Sequence, residues 1–188
     1  MNKVSGMKSD FAYLKEDASR IVVGYDYKEI DDSHAEWFEI YFYKAQIAKP
    51  TLEQIKDAIN ADIDAQTDEK ILNGYQWTIL HGEDQGKVVN VWLSKENQSN
   101  FKAKHDVAKE YPTLVTWPMK YKVSEEEGTK RPIYEYFDGM EELVQFYIGG
   151  LNYIEQTYNA GWDRKDDIDM NAYEEALSEL FTDPSNAE

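Results

Sequence analysis

The sequence predicts an α+β protein: a helix followed by two ββα units, antiparallel hairpins packed with helices, all preceded by an N-terminal strand pair. Three observations predict it. Apolar residues alternate in short runs such as Val89, Val91 and Leu93, the two-residue period of a strand. They recur at three- and four-residue spacing in longer runs, as at Leu52, Ile55, Ile59 and Ile63. The change from one period to the other falls at residues able to cap a helix, above all Ser94.

Residues 1–19 are polar and are expected to be loosely ordered. Residues 20–27 read as a strand, 30–34 as a turn and 37–43 as a second strand. In the second strand Phe38, Ile40 and Phe42 face one side, and Trp37, Glu39, Tyr41 and Tyr43 the other. Runs of this kind with a polar connection predict an antiparallel pair, which is marginal alone and must pack on something else. Thr51 and Gln54 have capping-box spacing, so a helix is expected over 52–73, ending at the basic turn and glycine Lys70 to Gly74. Strands follow over 75–80 and 87–93, joined by a turn at 81–86.

Ser94 then caps a helix running to about residue 110, with Gln98, Phe101, His105 and Ala108 on one face. Asn97 stands where a capping box wants Glu or Gln, and Pro112 ends the helix by restricting Tyr111. A strand is expected over 114–123, with Pro118 placing it at an edge or a bulge. A charged loop spans 124–131, and the return strand spans 132–137. Asp138 is the next candidate cap, with Glu141 three residues on. Met140, Leu143, Val144, Tyr147, Leu151, Ile154 and Tyr158 trace the apolar face of a helix expected to stop at Ala160-Gly161. A connector, a short helix from Met170 to Phe181 and a tail at 183–186 complete the chain. The corresponding division is an N-terminal β segment at 1–48, an α+β core domain at 49–169 and a C-terminal helix and tail at 170–188.

The formal charge of −17 repels nucleic acid phosphates and anionic membranes, so neither is an expected partner. No apolar run reaches the length of a membrane span, and residues 1–10 lack the apolar core of a secretory signal. The protein is therefore expected inside the cell that makes it, or leaving it as part of a particle. The chain has no cysteine, which excludes disulfides and thiolate sites. Its 14 tyrosines and 5 tryptophans suit half-buried strands and contact surfaces.

Nothing in the sequence assembles a reaction. His34, His81 and His105 form no paired metal-binding spacing. Asp163, Asp166, Asp167 and Asp169 lack the glycine and closing glutamate of a calcium loop. There is no phosphate-cradling glycine loop and no nucleophile elbow. No catalytic residue, metal or cofactor is expected, and the protein is not expected to be an enzyme. Gly149 and Gly150 sit inside a helical pattern, where each costs about 1 kcal/mol relative to alanine. Close approach of another backbone, or a hinge, would account for them. The candidate binding residues are Trp92, Asn97, Gln98 and Asn100 at the strand-to-helix joint and Trp37, Tyr41 and Tyr43 on the N-terminal strand. The first expected task of Asn97 and Gln98 is to tie the helix start to the adjacent sheet; contact with a partner comes second.

Five pieces carry a resemblance to a known family: KPTLEQIK at 49–56, TDEKILNGY at 67–75, VWLSKENQSNFKA at 91–103, FDGMEEL at 137–143 and GWDRKDDID at 161–169. Together they resemble an uncharacterised family found in phages and prophages of gut bacteria, often near tail-fibre genes, with 91–103 the most specific piece. The resemblance covers about two-thirds of the chain and departs in the hairpin at 82–86 and the loop at 124–131. It implies a tail-associated structural or accessory protein, either a virion component or an assembly chaperone. Its partners would be phage structural proteins or further copies of itself, met in the host cytoplasm during assembly or in the virion. The family supplies no catalytic residues. The composition also leaves open an acidic effector that mimics DNA charge, or a glycan-binding module using the aromatic strands.

Overall fold

A computed structural model describes residues 2–182. The expected tail at 183–186 lies outside the described residues. The protein is a mixed α/β structure with antiparallel sheets and four helices among the described residues. The strands come first: four precede the first helix, where a strand pair was expected. The chain divides into two compact units, one formed by residues up to 65 together with those from 161, the other by 66–160. Among the described residues no helix is long and apolar enough to cross a membrane.

The first unit opens with β1 (Asn2–Met7), a 3-10 turn (Lys8–Asp10), β2 (Leu14–Glu16), β3 (Arg20–Glu29) and β4 (His34–Tyr43). They form one antiparallel sheet in the order β1-β4-β3-β2. Residues 1–19 were expected to be loose, and the ladders correct this. β1 is polar, with Ser5 and Gly6 in its middle, so it carries little strand signal of its own. Its order comes from pairing with β4, in the register Val4 to Trp37 and Gly6 to Ala35.

One sheet face carries Ile21, Val23, Tyr25, Phe38, Ile40 and Phe42. It packs on Ile55, Ile59 and Ile63 of α1 (Leu52–Gly74) and on Tyr173 and Leu177 of α4 (Met170–Phe181). The Tyr173 hydroxyl donates to the Gly24 carbonyl at 2.9 Å, and the Tyr25 hydroxyl donates to Asp62. The segment joining β1 to β2 crosses the opposite face. Phe11 meets Trp37 edge-on at 5.9 Å, and a Cβ on Gly24 would lie 2.4 Å from the Ala12 carbonyl oxygen. That close approach is why position 24 is glycine in the middle of a strand. The helix start expected at Thr51 is a complete capping box: Gln54 N–H donates to Thr51 Oγ1 at 3.2 Å, and Thr51 N–H donates to Gln54 Oε1 at 2.9 Å.

The second unit takes the end of α1, then β5 (Tyr75–Thr78), β6 (Val88–Val91), α2 (Lys95–Glu110), β7 (Met119–Glu125), β8 (Pro132–Phe137) and α3 (Met140–Asp166) as far as residue 160. β5 pairs with β6 and β7 with β8, both antiparallel. Trp92 N–H donates to the Val123 carbonyl at 3.1 Å, which sets the end of β6 beside β7. The core is aromatic. Phe146 lies within 5.1–6.4 Å, centroid to centroid, of Tyr75, Trp77, Phe101, Tyr121 and Phe137.

Several boundaries differ from expectation: β3 runs on to Glu29, β4 begins at His34 within the expected turn, and β5 and β6 end at Thr78 and Val91, two residues early. β7 begins at Met119, after Pro118, and not at 114. α3 begins at Met140, and it is Glu142, not Glu141, that accepts from the Asp138 N–H at 2.8 Å. α3 also continues through Gly161 to Asp166, because Gly161 is a buried helix position and not a terminus.

Candidate functional site

The second unit carries a cleft of about 320 Å³ between α2 and α3. Tyr75, Phe101 and Phe146 form its floor, Leu151 and Ile154 one wall, and Lys95, Gln98 and Lys102 its rim. Such a volume is at the lower end of the range for binding clefts, roughly 300–1,000 Å³. The floor depends on the glycine pair in α3. A Cβ on Gly149 would lie 2.4 Å from the Tyr75 hydroxyl oxygen. The Tyr75 hydroxyl donates to the Phe146 carbonyl at 3.2 Å, and burial pushes its pKa up to about 12. Close approach therefore explains Gly149, although the approaching group is the tyrosine side chain and not another backbone; a Cβ on Gly150 would meet the same ring only at 3.7 Å, an ordinary contact.

Beside the cleft, Ile148 and Leu151 are nearly half exposed and Tyr158 is 38% exposed. At 100° per residue these three fall within one third of the circumference of α3, a mainly apolar stripe that the exposed Glu155 interrupts between Leu151 and Tyr158. On α2, His105 stacks on Tyr147 at 4.5 Å and Lys102 pairs with Asp106 at 2.5 Å. Lys95 forms no ion pair among the described residues. The cleft is thus an apolar trough with a lysine rim.

The structure separates the candidate binding residues. Ser94 Oγ accepts from the Asn97 N–H at 3.2 Å. The Asn97 side-chain amide donates to the Trp92 carbonyl at 2.8 Å, and that of Gln98 donates to the Leu93 carbonyl at 2.7 Å. The expected tie between helix start and strand end is present. Gln98 also lines the cleft, whereas Trp92 and Asn97 line a smaller hollow with Lys122 and Ser124. Trp92 and Asn100 are exposed. The other three belong to the first unit. Trp37 is only 2% exposed, covered by the β1–β2 connection, so it is a core residue and not a binding one. Its indole N–H and the Tyr41 hydroxyl donate to Glu39, which also receives Lys15 at 2.9 Å. The Arg20 guanidinium lies 4.5 Å above the Tyr41 ring. Tyr43 is exposed.

Sequence reasoning missed Glu135. Its side chain is fully buried among the apolar residues of the second unit. It accepts from Trp77 Nε1 at 2.5 Å and from the backbone N–H groups of Leu80, His81 and Tyr136 at 2.8, 3.2 and 2.9 Å. The alternation of β8 held a signal, since Glu135 shares its face with Ile133 and Phe137. The His81 Nε2–H donates to the Glu142 carboxylate at 3.0 Å, and the ring lies 3.6 Å from Asp138. The Glu142 hydrogen bond raises the His81 pKa above its ordinary value, outweighing the desolvation that lowers it. The hairpin at 82–86 and the loop at 124–131 are also joined: Arg131 grips Asp84 with two nitrogens, at 2.9 and 2.7 Å, and Lys87 approaches Glu126 at 3.6 Å. No group of three or more potential ligands for a metal ion occurs among the described residues. No family model, curated protein or solved structure matches the chain.

Proposed function

We propose that this protein works by binding other proteins, as a structural or accessory component associated with a phage or prophage tail or tail fibre. The observation that carries the binding half is the apolar stripe of Ile148, Leu151 and Tyr158 beside the lysine-rimmed cleft. Contiguous exposed apolar surface mostly marks interaction sites. Its chemistry fits an apolar segment bearing carboxylates, which the lysine rim would hold. The tail half rests on the resemblance of 91–103, and Gln98 within that piece lines the cleft. We read residues 75–110 and 119–166 as two ββα units of one plan following α1; the element order and the short ladders support this. In that plan the cleft lies between the helices of the two units.

Co-expression of the whole chain with the tail and tail-fibre proteins encoded beside it, followed by co-purification, tests the proposal. A defined complex that is lost in Leu151→Glu supports it. Mass spectrometry of purified particles then separates a virion component, present in them, from an assembly chaperone, absent from them but bound to a fibre protein. Absence from particles together with no complex with any tail protein overturns it. The charge-mimic alternative needs uncompensated acids ordered on one face. Ion pairs such as Lys3–Glu36, Lys44–Glu16 and Lys122–Glu125 instead distribute lysines among the acids, which speaks for the binding reading.

A further inference from the structure

The first unit contains a second cavity, of about 330 Å³, distinct in chemistry from the α2–α3 cleft. Its rings come from the β1–β2 connection, the bulged end of β3 and α4. Phe11 packs against Tyr27 at 4.8 Å and against Tyr13 at 5.1 Å, and Tyr13 meets Tyr173 edge-on at 5.1 Å. Tyr13 and Tyr27 are each more than a third exposed, so ring surface is open to an incoming group. The back of the cavity is held in place by Tyr173, which is 2% exposed and hydrogen-bonded to the Gly24 carbonyl.

The charges around these rings do not balance. Asp26, Asp167 and Asp169 line the cavity against one cation, Arg164. Arg164 is already engaged, paired with Asp26 at 2.8 Å and lying 5.6 Å from the Phe38 ring centroid. Asp169 accepts from the Asn171 N–H at the start of α4, and among the described residues neither it nor Asp167 forms an ion pair. No lysine or arginine among the described residues lies over the rings of Phe11, Tyr13 or Tyr27. A wall of partly exposed aromatic rings, backed by carboxylates in excess, is an environment that attracts a weakly hydrated organic cation. A neutral sugar would use the rings but gain nothing from the surplus charge.

We propose that this cavity binds an ammonium-bearing ligand, with its head against the Tyr27 and Tyr13 rings and its charge facing Asp167 and Asp169. The ligand is either a free alkylammonium or the side chain of a lysine on a partner protein. This site is independent of the α2–α3 cleft, so either proposal survives failure of the other.

Calorimetric titration of the whole chain tests it, using tetramethylammonium chloride in one arm and an unstructured Gly-Lys-Gly peptide in the other, with sodium chloride as control. Saturable binding in either arm, and none with sodium, is expected. Tyr27→Ala should weaken it about tenfold while Tyr27→Phe retains it, because the ring and not the hydroxyl contacts the cation. Asp167→Asn should weaken it and reduce its sensitivity to salt. Both positions are exposed, and unchanged circular dichroism and melting would show that the variants fold. The arm that binds more tightly names the source. No saturation in either arm, indifference to Tyr27→Ala, or binding of galactose in place of the cations overturns the proposal.

Discussion

Each unit sets a glutamate beside a tryptophan, half-buried in the first and fully buried in the second, and the two are satisfied by different chemistry. In the first, Glu39 stands on a sheet and is matched by a lysine, an indole and a phenol. Burial raises its pKa, but the hydrogen bonds led by Lys15 outweigh this and hold it below the ordinary value. In the second, Glu135 has no cation among its partners and relies on four N–H donors, three of them backbone. The difference follows from the sheets. The first unit has four strands whose ladders satisfy their own amides, so its carboxylate serves side chains. The second has two short ladders, and the chain leaving β5 at Leu80 and His81 points amides into the core with no strand to receive them. Glu135 replaces the missing strand.

The largest effects should come from the most enclosed large rings, Phe146 in the core of the second unit and Trp37 under the β1–β2 connection of the first. Phe146→Ala and Trp37→Ala are each expected to cost roughly 3–5 kcal/mol in urea unfolding, whereas Trp92→Ala, at an exposed indole, should cost less than about 1 kcal/mol. A Trp37→Ala cost as small as that of Trp92→Ala would mean that the β1–β2 connection does not cover the sheet. The carboxylates come next. Glu135→Leu strands several buried N–H groups and should cost roughly 3 kcal/mol or more; Glu39→Gln keeps an acceptor for the Trp37 indole and turns its NH2, a donor, towards the Tyr41 hydroxyl oxygen, and should cost roughly 1 kcal/mol. Equal costs would remove the distinction between the two sites. Thr51→Ala breaks the capping box at the start of α1 and should cost about 1 kcal/mol, read as a fall in urea midpoint at constant slope.

The smallest effect is pH-dependent. A raised His81 pKa gives stability that is fully present below the unfolded value, about 6.5, and is lost as pH rises through the folded one. Glu142 is lowered, first by His81, so its contribution is present above its unfolded value, about 4.3, and is lost as pH falls. The pair should therefore stabilise most between those values. The melting difference between the native chain and His81→Gln should be greatest near pH 5.5 and shrink by pH 8.5; a difference that grows with pH would show that His81 is not held by Glu142.

What the sequence reveals is what is local. Ser94, Asn97 and Gln98 act within five residues of one another, and their cap and ties are those expected. Thr51 with Gln54, the strand at 132–137 and the helix at 170–181 are read at their actual positions for the same reason. β1 escapes because its order is borrowed from β4, whose register partners lie 27 to 37 residues away. Trp37 reads as a surface ring because alternation names a strand's two faces but not what later crosses one of them. Glu135 with Trp77 and Arg131 with Asp84 join residues 58 and 47 positions apart, which no local period encodes. The hairpin at 82–86 and the loop at 124–131 are joined by Arg131 and Asp84, so they form one feature and not two.

The first unit is discontinuous, and that sets an order of events on the ribosome. All four of its strands emerge before residue 44, and the isoleucines of α1 soon after. Tyr173 and Leu177, which close the same core, are made only after the whole of residues 66–160 has been synthesised. The second unit is contiguous and has its core residues in hand before α4 exists. For the time it takes to translate those residues, the nascent sheet presents part of the Ile21, Val23 and Tyr25 face unsealed, and the closing helix arrives only after them.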